Sequence, residues 1–152
     1  MLIYIGADHV GFNLKESLKN FLKENGYEVI DVGNYHYDKD DDYPDFAALA
    51  AHAVSQDSIN RRGVLVCGSG AGMNIVANKF EGVRAVSVNN PEQAKLSRND
   101  GDSNVLTLAA DFIDEKIADE ILDVWLKTPF SGDERHKRRL KKIMEIENGK
   151  AF

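Results

Sequence analysis

Short apolar runs alternate along the chain with longer segments whose apolar residues recur at helical spacing. This alternation is typical of a parallel α/β fold. In the first helical segment Leu14, Leu18, Phe21 and Leu22 fall on one face, and Gly26 follows where a helix would stop. The pattern predicts strands at residues 2–5, 27–32, 64–66, 84–88 and 104–108, and helices at about 14–25, 45–55, 73–79, 91–98, 112–128 and 134–147.

The length of the chain and its lack of internal repeats favour one domain. A chain of 152 residues suits a single hydrophobic core. We therefore predict one doubly wound domain over residues 1–152, in which a parallel sheet is flanked by helices and an extra helix lies at the C-terminal end. Ligands bind such sheets at the carboxyl ends of the strands, beside the point where the strand order reverses.

Composition narrows the class of protein. The formal net charge of −6 argues against a nucleic-acid partner. No apolar run approaches the ~20 residues that span a bilayer, and the first residues do not resemble a signal peptide, so we expect no membrane association. Cys67 is the single cysteine and cannot form an intramolecular disulfide, which suits a reducing, cytoplasmic location.

A glycine-rich loop after the third strand is the strongest local motif. Alternating glycines allow tight turns and let backbone N–H groups approach a ligand closely, and a predicted helix start behind them favours an anion. A ligand-free strand-to-helix turn remains the alternative. The motif is neither a P-loop nor the usual dinucleotide fingerprint, and Met73 stands where a cysteine phosphatase loop has arginine. The loop reads Cys67-Gly68-Ser69-Gly70-Ala71-Gly72.

Cys67 stands at the mouth of this loop, where it is either a buried packing residue or a reactive thiol. We expect the helix dipole and the loop amides to lower the pKa of the thiol. A thiolate beside backbone N–H groups can take a proton from carbon while the amides stabilise the resulting oxyanion. This pairing favours the reactive role.

Other polar residues follow the predicted strands, and each has a plain structural explanation. Asp8-His9 could cap a helix, Tyr43-Pro44-Asp45 could begin one, and the polar run from Asp100 to Asn104 could be a turn. The basic residues of the last helix could form a solvated face. The four histidines are scattered without metal-ligand spacing, and we predict no metal site and no cofactor.

Together these motifs resemble the ribose-5-phosphate isomerase B family, which includes galactose-6-phosphate isomerase subunits. The resemblance covers nearly the whole chain, and the ordered set is far more specific than any one motif. It implies a three-layer, Rossmann-like fold with a five-stranded parallel sheet. It also implies homodimers or tetramers whose active sites are built from two subunits. The matching motifs include Ala7-Asp8-His9-Val10-Gly11-Phe12, Asp42-Tyr43-Pro44-Asp45, the glycine loop, Ala77-Asn78-Lys79, Gly82-Val83-Arg84-Ala85, Leu96-Ser97-Arg98, and Arg135-His136 with Arg139.

The resemblance implies a role for each of these positions. Cys67 would move a proton between C1 and C2 of an open-chain sugar phosphate through an enediolate. The enediolate oxygen would be held by Ser69 and by the loop residues Gly68, Gly70, Ala71 and Gly72. The sugar hydroxyls would contact Asp8 and Tyr43, with Asn104 nearby. The phosphate would bind His9, Arg135 and Arg139, the arginines reaching across from the partner subunit; arginine suits this role because its planar fork binds phosphate oxygens in pairs.

Two positions depart from the family pattern. Asp100 stands where many members have a ring-opening histidine, and an aspartate is a poor general acid near neutral pH unless burial changes its ionisation. Asp111 stands where a further phosphate-binding arginine is common, so its charge should weaken phosphate binding unless its side chain points away.

Three hypotheses follow. The first is an isomerase of a pentose or hexose phosphate, with ribose 5-phosphate as the leading substrate and ring opening by Asp100, Asp8 or water. The second is an isomerase of a substrate that needs no ring opening, such as a tetrose 4-phosphate. The third is a paralogue or partner subunit that binds a sugar phosphate with weak catalysis or none. The intact glycine loop with Cys67 favours an enzyme over the third hypothesis.

Overall fold

Five parallel strands form one sheet in the computed structural model, which describes residues 1–150. The strand order is β2-β1-β3-β5-β4, so the chain reverses its direction of travel across the sheet between β1 and β3. The predicted five-stranded parallel α/β fold is confirmed. The strands are β1 (Leu2–Ala7), β2 (Glu28–Asp31), β3 (Arg61–Cys67), β4 (Ala85–Ser87) and β5 (Val105–Ala109).

Six helices surround the sheet, one in each predicted position. Their ends differ from the sequence prediction by a few residues. Helix α5, for example, begins at Glu115. It is capped by the preceding Asp114, whose side chain accepts a hydrogen bond from the Ile117 amide at 2.8 Å. Phe112, predicted to lie on that helix, precedes it and is exposed. The helices are α1 (Phe12–Glu24), α2 (Tyr43–Ser55), α3 (Ala71–Ala77), α4 (Pro91–Gly101), α5 (Glu115–Lys127) and α6 (Glu134–Glu147).

The helices cover both faces of the sheet and bury an apolar layer on each. On one face α1, α4 and α5 pack over the strands, with Leu18, Leu22 and Trp125 fully buried. On the other face α2 and α3 supply a smaller layer that includes Ala50, Met73 and the thiol-bearing Cys67. Strands buried on both faces read as short continuous apolar runs, which explains why β3 and β5 were recognisable in the sequence.

The register of the central strands places three chain segments together at the carboxyl edge. Ala7 of β1 pairs with Val66 of β3, and Cys67 of β3 pairs with Ala109 of β5. Backbone hydrogen bonds continue the alignment past the strand ends, from the Asp8 amide to Val66 O and from the Asp111 amide to Gly68 O. The loops after β1, β3 and β5 therefore begin side by side at the switch point.

The C-terminal helix lies away from this edge. Helix α4 begins after β4 at the carboxyl edge and returns along the sheet, so its last residues reach the amino edge. There the Ser131 amide, just before α6, donates to the carbonyl of Asn99 at 3.0 Å. A groove of about 430 Å³ runs between β4 and α6, lined by Ile143 and Ile146 among others. Across residues 1–150 no helix has the length and apolar character needed to cross a membrane.

Candidate active site

Cys67 is the last residue of β3, and the chain turns sharply around its sulfur. Gly70 has φ 73°, in the left-handed region that glycine adopts without strain, and this conformation turns the loop into α3. A Cβ atom at position 70 would also lie 2.8 Å from Ser87 Oγ. The turn directs backbone N–H groups of Ser69, Gly70 and Met73 toward the thiol, which is only 4% exposed. The thiol therefore lies within a curved array of donors.

The pKa of the Cys67 thiol is raised, which corrects the expectation of a lowered value. Burial is the largest cause, and the nearby Asp8 carboxylate also favours the neutral thiol. The N–H groups of Met73, Gly70 and Ser69 act in the opposite direction but do not outweigh burial. The sequence predicted the amides correctly and missed the desolvation, because burial depends on how α2 and α3 cover the strand end.

Asp8 lies beside Cys67 at the end of β1. Its carboxyl is 7% exposed, and its Oδ1 accepts a hydrogen bond from the Gly11 amide at 2.9 Å. Burial raises the pKa of this carboxyl, with the charge of Asp41 adding to the rise, while the Gly11 amide and His9 lower it. A carboxyl held in this way can accept a hydrogen bond from a substrate hydroxyl near the thiol.

His9 is held by an acidic residue from the loop after β2. Oδ1 of Asp41 lies 2.6 Å from Nδ1 of His9 and also accepts from the His9 backbone amide at 3.0 Å. The hydrogen bond to Asp41 is the largest cause of a raised His9 pKa, followed by the opposing effect of desolvation. The ring is partly exposed at the same edge and stays cationic to higher pH than a free histidine, which suits an anionic ligand.

Asp41 is a residue that sequence reasoning missed. It lies 32 positions from His9 in a polar loop, and its other oxygen accepts from Asn34 Nδ2 at 2.7 Å. Burial raises the pKa of Asp41, but the hydrogen bonds from His9 and Asn34 outweigh it and the net direction is downward. No spacing rule links these residues, so the loop composition gave no signal of the pairing.

Tyr43 and the loop glycines form the other side of the site. A Cβ atom on Gly72 would lie 2.7 Å from ring atoms of Tyr43, so the ring rests directly on the loop. Ser69 is exposed, with Oγ 3.4 Å from the Ala71 amide. The structure thus brings together nearly all of the sugar-binding positions predicted from the sequence: Asp8, His9, Tyr43, Gly68, Ser69, Gly70, Ala71 and Gly72.

Asn104 is an exception, and its predicted place near the sugar is wrong. It precedes β5 at the amino edge and is fully buried. Its Oδ1 accepts from the Arg84 amide and its Nδ2 donates to Gly82 O, both at 2.7 Å. The side chain therefore ties the start of β5 to the loop before β4, and its burial keeps it from a ligand.

Three further predicted residues lie far from Cys67 within one chain. Asp100 is at the end of α4, where its Oδ1 accepts from Asn99 Nδ2 at 2.7 Å and lies 3.8 Å from Nδ1 of the buried His136. Arg135 and Arg139 are exposed on α6. All three belong to the amino edge, so one chain does not unite them with the glycine loop.

Across residues 1–150 no group of three or more histidine, cysteine, aspartate or glutamate side chains is placed to hold a metal ion. The groups gathered at the carboxyl edge are a thiol, a carboxyl, an imidazole and backbone donors. These groups suit binding of an anion and proton transfer at carbon.

Comparison with known proteins agrees with this chemistry. The family model described as Ribose/Galactose Isomerase matches residues 3–143. Ribose-5-phosphate isomerase B of Escherichia coli is 41% identical over 145 residues, covering 95% of each chain. The crystal structure of ribose-5-phosphate isomerase B from Mycoplasma genitalium with bound ribulose-5-phosphate has a TM-score of 0.94 at 39% identity, over 97% of this chain and 96% of that one. The Clostridium thermocellum enzyme has a TM-score of 0.93 at 44% identity, over 98% and 99%. The chain belongs to the ribose/galactose isomerase family.

Proposed function

We propose that this chain interconverts ribose 5-phosphate and ribulose 5-phosphate, or a closely related aldose and ketose phosphate, with Cys67 as the base. The enzyme class, an aldose–ketose isomerase, is that of the family to which the chain belongs. The bound ribulose-5-phosphate of the Mycoplasma genitalium relative supports a pentose phosphate. The single observation that carries the mechanism is the buried Cys67 thiol within the array of backbone N–H groups.

The proposed step is a proton transfer between neighbouring carbons. The Cys67 thiolate takes the proton from C2 of the open-chain aldose, and the electron pair moves onto the carbonyl oxygen to give an enediolate. The loop N–H groups stabilise that oxygen, while the Ser69 hydroxyl and Asp8 hold the neighbouring hydroxyls. Cys67 then delivers a proton to C1 while the proton of the C2 hydroxyl moves to O1, and the ketose forms. Positioned donors and a positioned base are each worth about 10²–10³-fold or more in such reactions.

The phosphate requires cations that one chain does not bring to the loop. His9 is the cation beside the site, and Arg135 and Arg139 are exposed at the other edge of the sheet. We therefore propose a homodimer in which Arg135 and Arg139 of the partner subunit reach the phosphate. The exposed apolar residues on α6, Ile143, Met144 and Ile146, support a covered surface next to those arginines.

The same dimer would supply the ring-opening group. Asp100 lies at the amino edge with the arginines, and its carboxyl is 3.8 Å from the imidazole of His136. We propose that the carboxylate of Asp100 of the partner subunit takes the proton of the anomeric hydroxyl and passes it to the ring oxygen as the furanose ring opens, with His136 as its neighbour in that step. Cys67 is a free cysteine, and the reducing environment of the cytoplasm keeps such thiols reduced. We therefore propose that the protein acts in the cytoplasm.

A substrate panel in deuterated water tests the function directly. Ribose 5-phosphate, ribulose 5-phosphate, allose 6-phosphate, galactose 6-phosphate and erythrose 4-phosphate would each be followed by NMR with the wild type and Cys67→Ala. We expect conversion of the pentose phosphates with deuterium entering at the isomerised carbon, and loss of both in the variant. Binding without conversion across the panel would instead identify a sugar-phosphate-binding paralogue.

Mixed dimers test the shared site. Cys67→Ala and Arg139→Ala would each be inactive alone, since each damages both sites of its own dimer. After unfolding and refolding together, half of the dimers carry one site with both residues intact, so activity should recover to about a quarter of wild type. No recovery, with mixed dimers demonstrated by mass spectrometry, would refute a site built from two subunits.

A further inference from the structure

Asp111 places a negative charge directly against the glycine loop. It lies two residues beyond β5, and its amide donates to Gly68 O at 3.1 Å. A Cβ atom on Gly68 would lie 2.7 Å from Asp111 Oδ2 and 3.3 Å from Cγ1 of Val10. The carboxylate is therefore turned toward the loop, at the boundary with the turn that follows β1.

This carboxylate has no protein partner that accounts for its position. Among residues 1–150 no hydrogen bond or ion pair reaches the Asp111 side chain, although other carboxylates at the same edge are paired. Asp8 is bonded to the Gly11 amide and Asp41 to His9. Within one chain this charge is exposed and unneutralised, and beside a ligand-binding loop it acts on the ligand rather than on the fold.

The ligand that this loop must handle has two unlike ends. One end is a carbonyl oxygen, neutral until the reaction proceeds, and the other is a phosphate that carries up to two negative charges. The N–H groups of Ser69, Gly70 and Met73 could donate hydrogen bonds to either one. The Asp111 carboxylate repels the phosphate from the moment of binding, whereas the carbonyl oxygen is neutral on binding and gains charge only as the enediolate forms.

We propose that Asp111 is a specificity-determining residue that excludes phosphate from the β5 side of the glycine loop and leaves that side to the uncharged part of the sugar. The proposal rests on the proposed function for the identity of the substrate. It follows that phosphate affinity is held down by Asp111 and that the anion is seated toward His9. Asp111 does not take part in the proton transfer.

The test is phosphate binding to Asp111→Asn, which removes the charge and keeps the shape. Inorganic phosphate would be titrated by calorimetry, and its inhibition constant and the KM of ribose 5-phosphate measured in parallel. We expect phosphate to bind about fivefold to tenfold more tightly and the KM to fall with it. The difference from wild type should shrink as salt is raised, since the repulsion is screened.

Matched variants separate charge at the loop from charge in general. Asp111→Glu keeps the charge and should bind phosphate like wild type. Glu120→Gln removes an exposed charge from α5, and phosphate affinity should not change. Unchanged phosphate affinity in Asp111→Asn, or an equal change in Glu120→Gln, would overturn the proposal. Phosphate binding can be measured without turnover. If the wild type were inactive on every sugar, the proposed function would be refuted, and the comparison of phosphate affinities would still test the role of Asp111.

Discussion

Oδ1 of Asp41 lies 2.6 Å from Nδ1 of His9 and accepts a second hydrogen bond from the His9 backbone amide. The two bonds fix both the backbone and the ring of a histidine at the end of β1. They also raise the pKa of His9, so its imidazolium persists to higher pH. A loop after β2 thus controls the charge of a residue after β1, next to the glycine loop after β3.

Replacing Asp41 with asparagine should make phosphate binding more sensitive to pH. Because the pKa of His9 is raised, the wild type loses the imidazolium charge only as pH rises through this raised pKa. In Asp41→Asn the charge should be lost nearer the ordinary histidine pKa of 6.5. We expect KM for ribose 5-phosphate to match wild type near pH 6 and to be several-fold higher near pH 8. Asp40→Asn, from the same loop, is the control, and equal pH profiles for all three proteins would contradict the role of Asp41.

Cys67→Ala should abolish turnover while sparing binding. Loss of the base should lower kcat by about 10³-fold, with phosphate affinity unchanged. The pKa of Cys67 is raised above its ordinary 9.0, so the reactive thiolate is a minor species near neutrality. The kcat/KM of the wild type should therefore rise as pH increases toward the pKa of the thiol. A rate that is flat from about pH 6 to pH 9 would speak against a thiolate base.

Gly72→Ala should disturb substrate binding through Tyr43. The added methyl would lie 2.7 Å from the Tyr43 ring, which must then move from the loop. We expect about tenfold weaker kcat/KM with folding retained, since a displacement near 1 Å at a binding residue has costs of this order. In Tyr43→Ala the methyl meets no ring, so adding Gly72→Ala should cost little more. Fully additive losses in the double variant would show that the two positions act separately.

Asp100→Asn should affect ring-closed substrates selectively. Ribose 5-phosphate must open its furanose ring before isomerisation, whereas erythrose 4-phosphate cannot close that ring because its phosphate occupies the required hydroxyl. We expect turnover of ribose 5-phosphate to fall about 10²-fold and any turnover of erythrose 4-phosphate to fall far less. Equal losses on both substrates would assign Asp100 to binding rather than ring opening.

Lys15→Met should destabilise the fold. The Lys15 ammonium is fully buried and donates to the Asp31 carboxylate and to Asn34 O. Its removal leaves buried acceptors with fewer partners, although Lys19 still pairs with Asp31, so we expect a loss of about 2–3 kcal/mol in the free energy of unfolding by urea. Lys23→Met, exposed on the same helix, should change stability by about 0.5 kcal/mol or less.

The same network has a predictable pH dependence. Burial raises the pKa of Asp31, but hydrogen bonds from Lys19 and Lys15 outweigh it, and the folded value lies below 3.8. The Asp31 carboxylate therefore contributes its full stabilisation above its unfolded-state pKa of 3.8, and this contribution is lost as pH falls through the lower pKa of the folded state. The stability gap between wild type and Lys15→Met should narrow in the same acidic range.

The sequence by itself determined the order and type of the elements. The apolar runs of β3 and β5 and the helical spacing of Leu14, Leu18 and Leu22 are local patterns, and they predicted a five-stranded parallel sheet. The glycine loop and its cysteine were equally visible, because their chemistry is contained in six consecutive residues. The family followed from the order of such motifs along the chain.

The tertiary structure decided what these residues meet. The raised pKa of Cys67 follows from burial by elements far apart in sequence, and the pairing of His9 with Asp41 joins two loops through the sheet register. Asn104 followed the family pattern yet is fully buried, because its side chain bonds to Arg84 and Gly82, and no local pattern records that pairing. Local patterns are set by the chemistry of neighbouring residues. Desolvation and long-range pairing are properties of the assembled layers, and these decide the electrostatics of the site.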